Sequence, residues 1–545
     1  MNKILSSLFA LIALYACTSA EKMNQHINTK VEVEDLQKDV EVAKKKLLTK
    51  HVEIDWYYSK DVIKFRLDSF KNSIKQPMLP NDFSKELSKV VASFGHAHGK
   101  VSQLNERLLK DQKKKYKGST NPISLLSIKN AENRIFLDKI YTKDSIHSPN
   151  AELLAVQNYS FADYLKENPN LKDGDGYING LNQTYIPNYY LNHVSKKIGY
   201  QDSITLTLQK NDSVFTQVVK REFKIKKDKS KPKSKPKVDS LIVKKDTIKH
   251  QPKKVLTKEE KLKQKELQKH KSEIKKYYAY SKSKKKYNRA LVFPNQNDST
   301  TVILDINSFV LGSHKKAYDH IFDSINKLGV KNLILDLREN GGGYPEDINH
   351  LFAYLTTKDV PQMVTNPEHK VKSKFTISKR YYKHPNVIGH TILLPLVLYQ
   401  SGKSVFETKK INGEYYYKST GKKDYILKEE NKFKGNLYVL TSGKTYSAAS
   451  LISSALYAEG KAIFVGEETR GDYNGTVAGF TESYKLPNSK INVNIPILVF
   501  KPFVERELKG RGVMPNKEIK LEFSDLMNQK DPQVDWILSD IESKK

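Results

Sequence analysis

The chain has 545 residues and a formal net charge of +33. That length suits two to four domains, and the 38% of hydrophobic residues is enough to build buried cores. Cys17 is the only cysteine, which excludes disulfides within the chain and a cysteine-rich metal site.

The N-terminus has the pattern of a secretion signal. A basic start at Met1–Lys3 precedes an apolar run from Ile4 to Ala16, which is too short to span a bilayer. The run ends in Leu-Tyr-Ala-Cys17, which resembles a bacterial lipoprotein signal. We therefore predict that residues 1–17 are a lipoprotein signal peptide and that an acylated Cys17 anchors the protein in the cell envelope, on the periplasmic or outer-membrane face. Plain secretion with cleavage nearby is the alternative.

The first half of the chain divides by pattern into helical and stranded parts. Apolar residues at helical spacing, and an N-cap at Asp82, predict a helical domain over residues 31–112. Residues 120–222 alternate polar and apolar side chains, for example over 203–208, and are predicted to form a β segment.

Residues 223–289 are predicted to be a basic low-complexity linker. Residues 220–289 hold 28 lysines and arginines against 8 acidic residues, so they supply +20 of the net charge. Such a segment cannot build a core, so a spacer is the plain interpretation, with a charged helix toward its end. Adhesion to an anionic surface or polymer is the alternative. No specific nucleic-acid partner is needed to explain the charge.

Residues 290–545 are predicted to be a compact α/β domain. Apolar strands over 302–306, 332–337 and 436–441 alternate with amphipathic helices, as in a sheet with flanking helices. A lysine- and tyrosine-rich stretch over 365–430 lacks periodicity and is predicted to be an insertion or lid.

Two motifs in this domain can carry chemistry. Three glycines end the run Asp-Leu-Arg-Glu-Asn-Gly-Gly-Gly over 336–343, and the backbone N–H groups of Gly342 and Gly343 can hold a phosphate or an oxyanion. In the second motif a strand and a short turn lead to Ser447, which begins a helix. That position favours negative charge and lets the N–H of Ala448 serve an oxyanion. A plain turn and a plain N-cap are the alternatives.

These motifs, together with Gly-Glu-Glu-Thr-Arg-Gly over 466–471 and Gly-Arg-Gly-Val-Met-Pro-Asn over 510–516, resemble the tail-specific (C-terminal processing) and tricorn-like serine peptidases. Weaker N-terminal motifs resemble lipoprotein members of the Bacteroidetes type. The resemblance implies a spiral ββα (ClpP/crotonase-like) core over 290–545, a PDZ-like segment over 120–222, and no metal or other cofactor. It also implies protein or peptide substrates, including unstructured C-termini.

The resemblance also suggests which group activates Ser447. The processing proteases use a lysine 25 residues after the serine, and here that position is Asp472. Tricorn-like members use a histidine from the N-terminal side and a late glutamate, which match His98 and Glu505. His96 is a rival base and Glu507 a rival acid. Lys444 has a poor position for a base, three residues before Ser447 in a tight turn.

The function expected from this resemblance is a serine endopeptidase that hydrolyses extracytoplasmic proteins or peptides through a Ser-His-Glu acyl-enzyme mechanism. A catalytically inactive binding protein on the same fold is the alternative, because retinoid-binding relatives use the fold without hydrolysis.

Overall fold

The computed structural model describes most of the chain. The described residues are 20–142, 146–168, 174–178, 186–223, 258–281, 286–295, 298–310, 312, 314–358, 363, 369–378, 387–418 and 426–545. Cys17, and with it the predicted signal peptide, lies outside them. No helix in these ranges combines the length and the apolar character needed to cross a membrane.

The N-terminal part is helical, as its apolar periodicity predicts. Four helices precede one short strand: α1 (Ala20–Ile27), α2 (Val33–Lys50), α3 (Lys60–Ser73), α4 (Pro80–Ala92) and β1 (Lys100–Ser102). The side chain of Ser59 caps α3, and Pro80 begins α4 at a position that tolerates proline.

A β-sheet follows, with helices packed against it. Its strands run in the order β3–β4–β6–β8–β9, with β5 beside β4 and β7 beside β6. The elements are α5 (Lys110–Tyr116), β2 (Ser119–Thr120), a 3-10 turn (Pro122–Leu125), β3 (Leu126–Ala131), β4 (Arg134–Tyr141), β5 (Ile146–His147), β6 (Ala151–Val156), β7 (Tyr159–Ser160), α6 (Phe161–Glu167), α7 (Ile186–Ile198), β8 (Ser203–Lys210), β9 (Ser213–Lys220) and β10 (Glu222–Phe223). Alternate residues of β8 are buried in this unit's own core, which explains the polar–apolar pattern.

The basic segment is only partly described, because residues 224–257 lie outside the described ranges. Its end forms α8 (Lys258–Tyr277), followed by β11 (Tyr280–Ser281), β12 (Lys286–Tyr287) and β13 (Arg289–Val292). The first half of the C-terminal part then contains β14 (Thr301–Ile306), α9 (His314–Lys327), β15 (Asn332–Asp336) and α10 (Pro345–Leu355).

An insertion follows where lysine- and tyrosine-rich sequence lacks periodicity. It contains β16 (His369–Val371), α11 (Val387–Phe406), β17 (Thr408–Ile411), β18 (Glu414–Tyr417) and a 3-10 turn (Glu429–Asn431). The chain then returns to the core through β19 (Asn436–Thr441), α12 (Ala448–Glu459) and β20 (Ala462–Gly466), continues into the hairpin β21 (Thr476–Lys485) and β22 (Asn492–Phe500), and ends with β23 (Lys517–Glu518), α13 (Phe523–Asn528) and α14 (Pro532–Ser543).

The central sheet has the order β13–β14–β15–β19–β20–β23, and all neighbours after the β13–β14 pair are parallel. Both faces of β15 are buried: Leu333 and Leu335 pack with α9, α10 and α12, whereas Ile334 packs with α14. Burial on both faces explains the continuous apolar runs and confirms the predicted α/β class. The glycine loop and Ser447 both follow parallel strands, so they meet at one edge of the sheet.

The N-terminal helices share a core with the late hairpin. Leu486, Val493 and Ile495 pack among the buried side chains of α2, α3 and α4. Strand β1 pairs antiparallel with β22. The buried carboxylate of Asp39 accepts the backbone N–H of Ser489 at 2.7 Å. The N-terminal helices are therefore packed against the hairpin of β21 and β22; the division into domains stays a prediction.

Candidate active site

Ser447 lies at a strained turn between β19 and α12. Its φ of 56° and ψ of −121° are unusual for a residue with a side chain. Buried Thr445 fixes this turn, since its hydroxyl donates to the carbonyl of Leu337 at 2.9 Å and accepts the N–H of Ser442 at 3.0 Å. The turn places Ser447 at the start of α12, where the helix dipole favours negative charge.

His98 lies beside Ser447 although 349 positions separate them in the sequence. Its Nε2 is 3.2 Å from Ser447 Oγ, and its ring stacks on Tyr446 with centroids 4.6 Å apart. His98 follows α4 and precedes β1, and the pairing of β1 with β22 fixes its loop against the C-terminal part. The geometry is that of a serine hydroxyl donating to a neutral imidazole.

Two hydroxyl groups contact the other nitrogen of His98. Nδ1 is 2.5 Å from Tyr446 Oη and 3.2 Å from Thr476 Oγ1. When Nε2 accepts the Ser447 proton, Nδ1 carries the ring hydrogen and donates it to one of these oxygens. Neither residue was predicted from the sequence, and a tyrosine or a threonine gives no motif signal.

The two predicted acids lie elsewhere. Glu505 is exposed, and its carboxylate accepts from Lys501 Nζ at 3.1 Å. Glu507 is also exposed. In the part of the chain that the structure describes, neither carboxylate forms a hydrogen bond with His98.

Burial governs the electrostatics of the site. Burial, reinforced by the nearby guanidinium of Arg470, lowers the pKa of His98 to about 3, so the ring is neutral at pH 7. A buried acid, Asp175, contacts the loop that carries His98: its Oδ1 accepts the N–H of Ala97 at 3.1 Å. Burial raises the pKa of Asp175 to about 7, although hydrogen bonds from Ala97 and Thr476 oppose the rise.

We expect Asp175→Asn to stabilise the protein at pH 8 but not at pH 4. The folded-state pKa of Asp175 lies above the ordinary value, so the wild-type carboxyl binds a proton on folding, and stability falls as pH rises from about 4 to 7. The amide keeps an acceptor for Ala97 and does not ionise. The free energy of unfolding of the variant should exceed that of wild type by up to about 4 kcal/mol at pH 8. The measurement is the melting-temperature difference between the two proteins, which should grow with pH.

The control for this change is Asp61→Asn, at a carboxylate that is 90% exposed. It reports the effect of the same substitution at an exposed site. A melting-temperature difference for Asp175→Asn that grows between pH 4 and 8 no more than that of Asp61→Asn would contradict the raised pKa of Asp175.

The three residues predicted as oxyanion donors, Gly342, Gly343 and Ala448, lie beside Ser447, but the N–H of Gly342 is already bonded. Gly342 packs so closely that an added Cβ would lie 2.7 Å from Ser447 Cβ, and its own N–H donates to Asn340 Oδ1 at 2.9 Å. Among the described residues, the N–H groups of Gly343 and Ala448 have no acceptor within the chain. Gly343 and Ala448 border one cavity with Ser447, so these two groups are the available donors.

That cavity is mainly apolar and has an empty volume of about 510 Å³, including its opening to solvent. Its apolar lining consists of Pro345, Leu451, Gly475, Ala478, Gly479 and Phe500, and polar Ser450, Asp472 and Thr476 also border it. Such a pocket suits an apolar side chain of a bound ligand.

The rival bases have other contacts. His96 Nε2 lies 3.3 Å from the carbonyl of Ile54, and burial lowers the pKa of its ring to about 4. Lys444 Nζ donates to Glu339 at 2.9 Å. Asp472, in the position of the processing-protease lysine, is buried and accepts the N–H groups of Asn474 and Gly510, both at 2.9 Å. A serine–lysine pair is therefore not formed by these residues.

Comparison with known proteins gives one family match. Residues 300–519 match the model of peptidase family S41. No curated protein matches the chain.

Solved structures resemble the chain over most of its length at low sequence identity. A crystal structure of a CPAF mutant has 14% identity, a TM-score of 0.51, and coverage of 91% of this chain and 95% of that one. A putative S41 protease from Bacteroides fragilis has 13% identity, covers 92% and 97%, and has a TM-score of 0.39. The photosystem II D1 C-terminal processing protease has 12% identity, covers 89% and 93%, and also has a TM-score of 0.39. At these identities the CPAF mutant indicates a similar fold and nothing further, and the other two structures, with lower TM-scores, carry no argument.

Proposed function

Because the chain carries a serine peptidase domain of family S41, we propose that it hydrolyses peptide bonds through an acyl-enzyme formed at Ser447. The observation that supports this most directly is the 3.2 Å contact between Ser447 Oγ and His98 Nε2. A strained turn exposes the nucleophile, and burial keeps its partner imidazole neutral.

In the proposed reaction, Ser447 Oγ attacks the scissile carbonyl while His98 takes its proton. The N–H groups of Gly343 and Ala448 hold the resulting oxyanion. His98 then gives the proton to the amine as the C–N bond breaks. Water next attacks the acyl carbon while His98 takes its proton, and His98 returns that proton to Ser447 Oγ as the ester bond breaks.

The apolar cavity suggests which substrates fit. We propose that it accepts an apolar side chain on the acyl side of the scissile bond, since its lining is mainly apolar and includes Leu451, Ala478 and Phe500. In the described part of the sheet β1–β22–β21, β21 is an edge strand, and its first residues line this cavity. An extended segment, such as an unstructured C-terminus, can add to that edge.

We propose an extracytoplasmic location with a lipid anchor at Cys17. The support is the N-terminal sequence alone: a basic start, a short apolar run and a cysteine after a small residue. Metabolic labelling with a fatty-acid analogue should mark the wild-type chain and leave Cys17→Ser unmarked.

The experiment that tests the hydrolase is labelling with a fluorophosphonate probe followed by peptide mapping. We expect one labelled peptide, containing Ser447, and no labelling in His98→Ala, because the hydroxyl needs its base. Labelling must be lost when a peptide ester with an apolar acyl-side residue competes. A folded wild-type protein that takes no label would contradict the proposal.

Thr476 rather than Glu505 is expected to position His98. Thr476→Val removes one of the two hydroxyl contacts to Nδ1 and should lower kcat about 10-fold with little change in KM, since the loss affects the ring orientation needed during proton transfer. Glu505→Gln should stay within about twofold of wild type, because this carboxylate lies on the surface beside Lys501. Steady-state kinetics on one peptide measures both; a loss of about 10³-fold for Glu505→Gln would return the orienting role to that late acid.

A further inference from the structure

Helix α11 in the insertion has its polarity reversed. A surface helix normally buries its large apolar residues and exposes its small polar ones. Here Ser401 and Ser404 are buried at 5% and 1% exposure, whereas Leu398, Tyr399 and Phe406 are exposed at 52%, 64% and 85%. The buried hydroxyls are satisfied within the same segment: Ser404 Oγ donates to the carbonyl of Ser401 at 2.7 Å, and Thr408 Oγ1 donates to that of Ser404 at 2.8 Å.

The exposed face of this helix is broad. Leu394 and Leu396, exposed at 43% and 54%, extend the apolar surface by another turn toward the N-terminus. Burial of an apolar side chain such as Phe406 away from water is favourable, so several such side chains together favour a partner that covers them.

Lysines border the same face. Lys403, Lys409 and Lys418 line a depression together with Leu398, Tyr399 and Phe406. Lys403 lies 3.7 Å from Glu407, whereas within the described ranges Lys409 and Lys418 have no salt bridge to an acidic side chain. Apolar and aromatic side chains edged by lysines are typical of helices that lie in a lipid interface.

We propose that α11 docks on an anionic lipid surface, with Leu398, Tyr399 and Phe406 in the acyl boundary and the bordering lysines at the headgroups. A second copy of the chain is disfavoured, because a symmetric contact would bring both sets of lysines together. An anionic bilayer satisfies both the charge and the apolar area. The docking is independent of hydrolysis, so either proposal can fail without the other.

The test is flotation of the chain with vesicles of phosphatidylcholine containing 30% phosphatidylglycerol. A chain beginning at Thr18 keeps every described helix and strand and carries no signal peptide or acyl group. At 0.5 M NaCl the charges of the basic segment and of the bordering lysines are both screened within about 4 Å, so flotation at that ionic strength measures the apolar contribution of α11. We expect the triple variant Leu398→Ser, Tyr399→Ser and Phe406→Ser to float at least 10-fold less than wild type.

The matched control changes three exposed apolar residues elsewhere, Phe65→Ser, Val214→Ser and Val218→Ser, which are 71%, 59% and 56% exposed. It should float like wild type. Equal flotation of the α11 variant and wild type would overturn the proposal.

A direct readout places tryptophan on the helix. In Phe406→Trp, the fluorescence of the new tryptophan should shift to the blue with these vesicles and be quenched by brominated lipid. In Phe65→Trp, the fluorescence of the new tryptophan should not change. Absence of quenching at Phe406→Trp would overturn the proposal. The oligomeric state without vesicles gives another outcome that would overturn the proposal. If the wild type is a dimer and the triple α11 variant is a monomer, the exposed face of α11 binds a second copy of the chain.

Discussion

Ser447→Ala is expected to lower kcat for peptide hydrolysis by about 10⁴-fold or more, with the melting temperature close to that of wild type. The hydroxyl is the nucleophile of the proposed acyl-enzyme, and no other described hydroxyl contacts His98 Nε2. His98→Ala should cost about as much, and the double variant little more, because the two groups act as one unit. Initial rates on a fluorogenic peptide measure all three.

Ser454→Ala is the matched control for this loss. Ser454 is buried on the same helix and donates to the carbonyl of Ser450 at 2.9 Å, with no contact to the site. It should keep wild-type kcat. Hydrolysis that survives in Ser447→Ala at more than a few per cent would mean that another nucleophile carries the reaction.

Gly342→Ala is expected to lower kcat about 100-fold or more while the protein stays folded. The added Cβ would meet Tyr446 O at 2.7 Å and Ser447 Cβ at 2.7 Å, and the φ of +102° is strained for a side chain. The glycine loop must therefore move away from the nucleophile, and misplacement by about 1 Å is enough for a loss of this size.

Gly413→Ala separates backbone strain from this collision. Gly413 has a φ of +84°, but no atom lies within 4 Å of its added Cβ. Both variants should lose some melting temperature through strain, and only Gly342→Ala should lose activity. Equal activity in the two variants would mean that the contact between Gly342 and Ser447 does not matter for the reaction.

The sequence predicted the parts of the site that depend on local pattern. The glycine triplet and Ser447 each follow an apolar strand, and parallel strands carry their carboxyl ends to the same edge, so their meeting follows from β15 and β19. The helical N-terminal part followed equally from the spacing of apolar residues in α2 and α4.

The parts of the site that depend on contacts between distant segments could not be predicted from the sequence. Thr476 and Tyr446 reach His98 only because β1 pairs with β22, and a residue's place in a register gives no sequence signal. The reversed polarity of α11 could not be predicted for a similar reason: residues 365–430 were predicted only to be an insertion or lid, and which side of its helix faces outward depends on what the insertion packs against.

The pairing of β1 with β22 has a consequence for when the enzyme becomes active. The proton acceptor His98 is synthesised long before the strand that fixes its loop, Asn492–Phe500. A nascent chain emerges from the ribosome N-terminus first. It therefore cannot assemble the serine–histidine pair until β22 has been made, so all of the chain that precedes β22 is synthesised before the protein is able to cut its neighbours or itself.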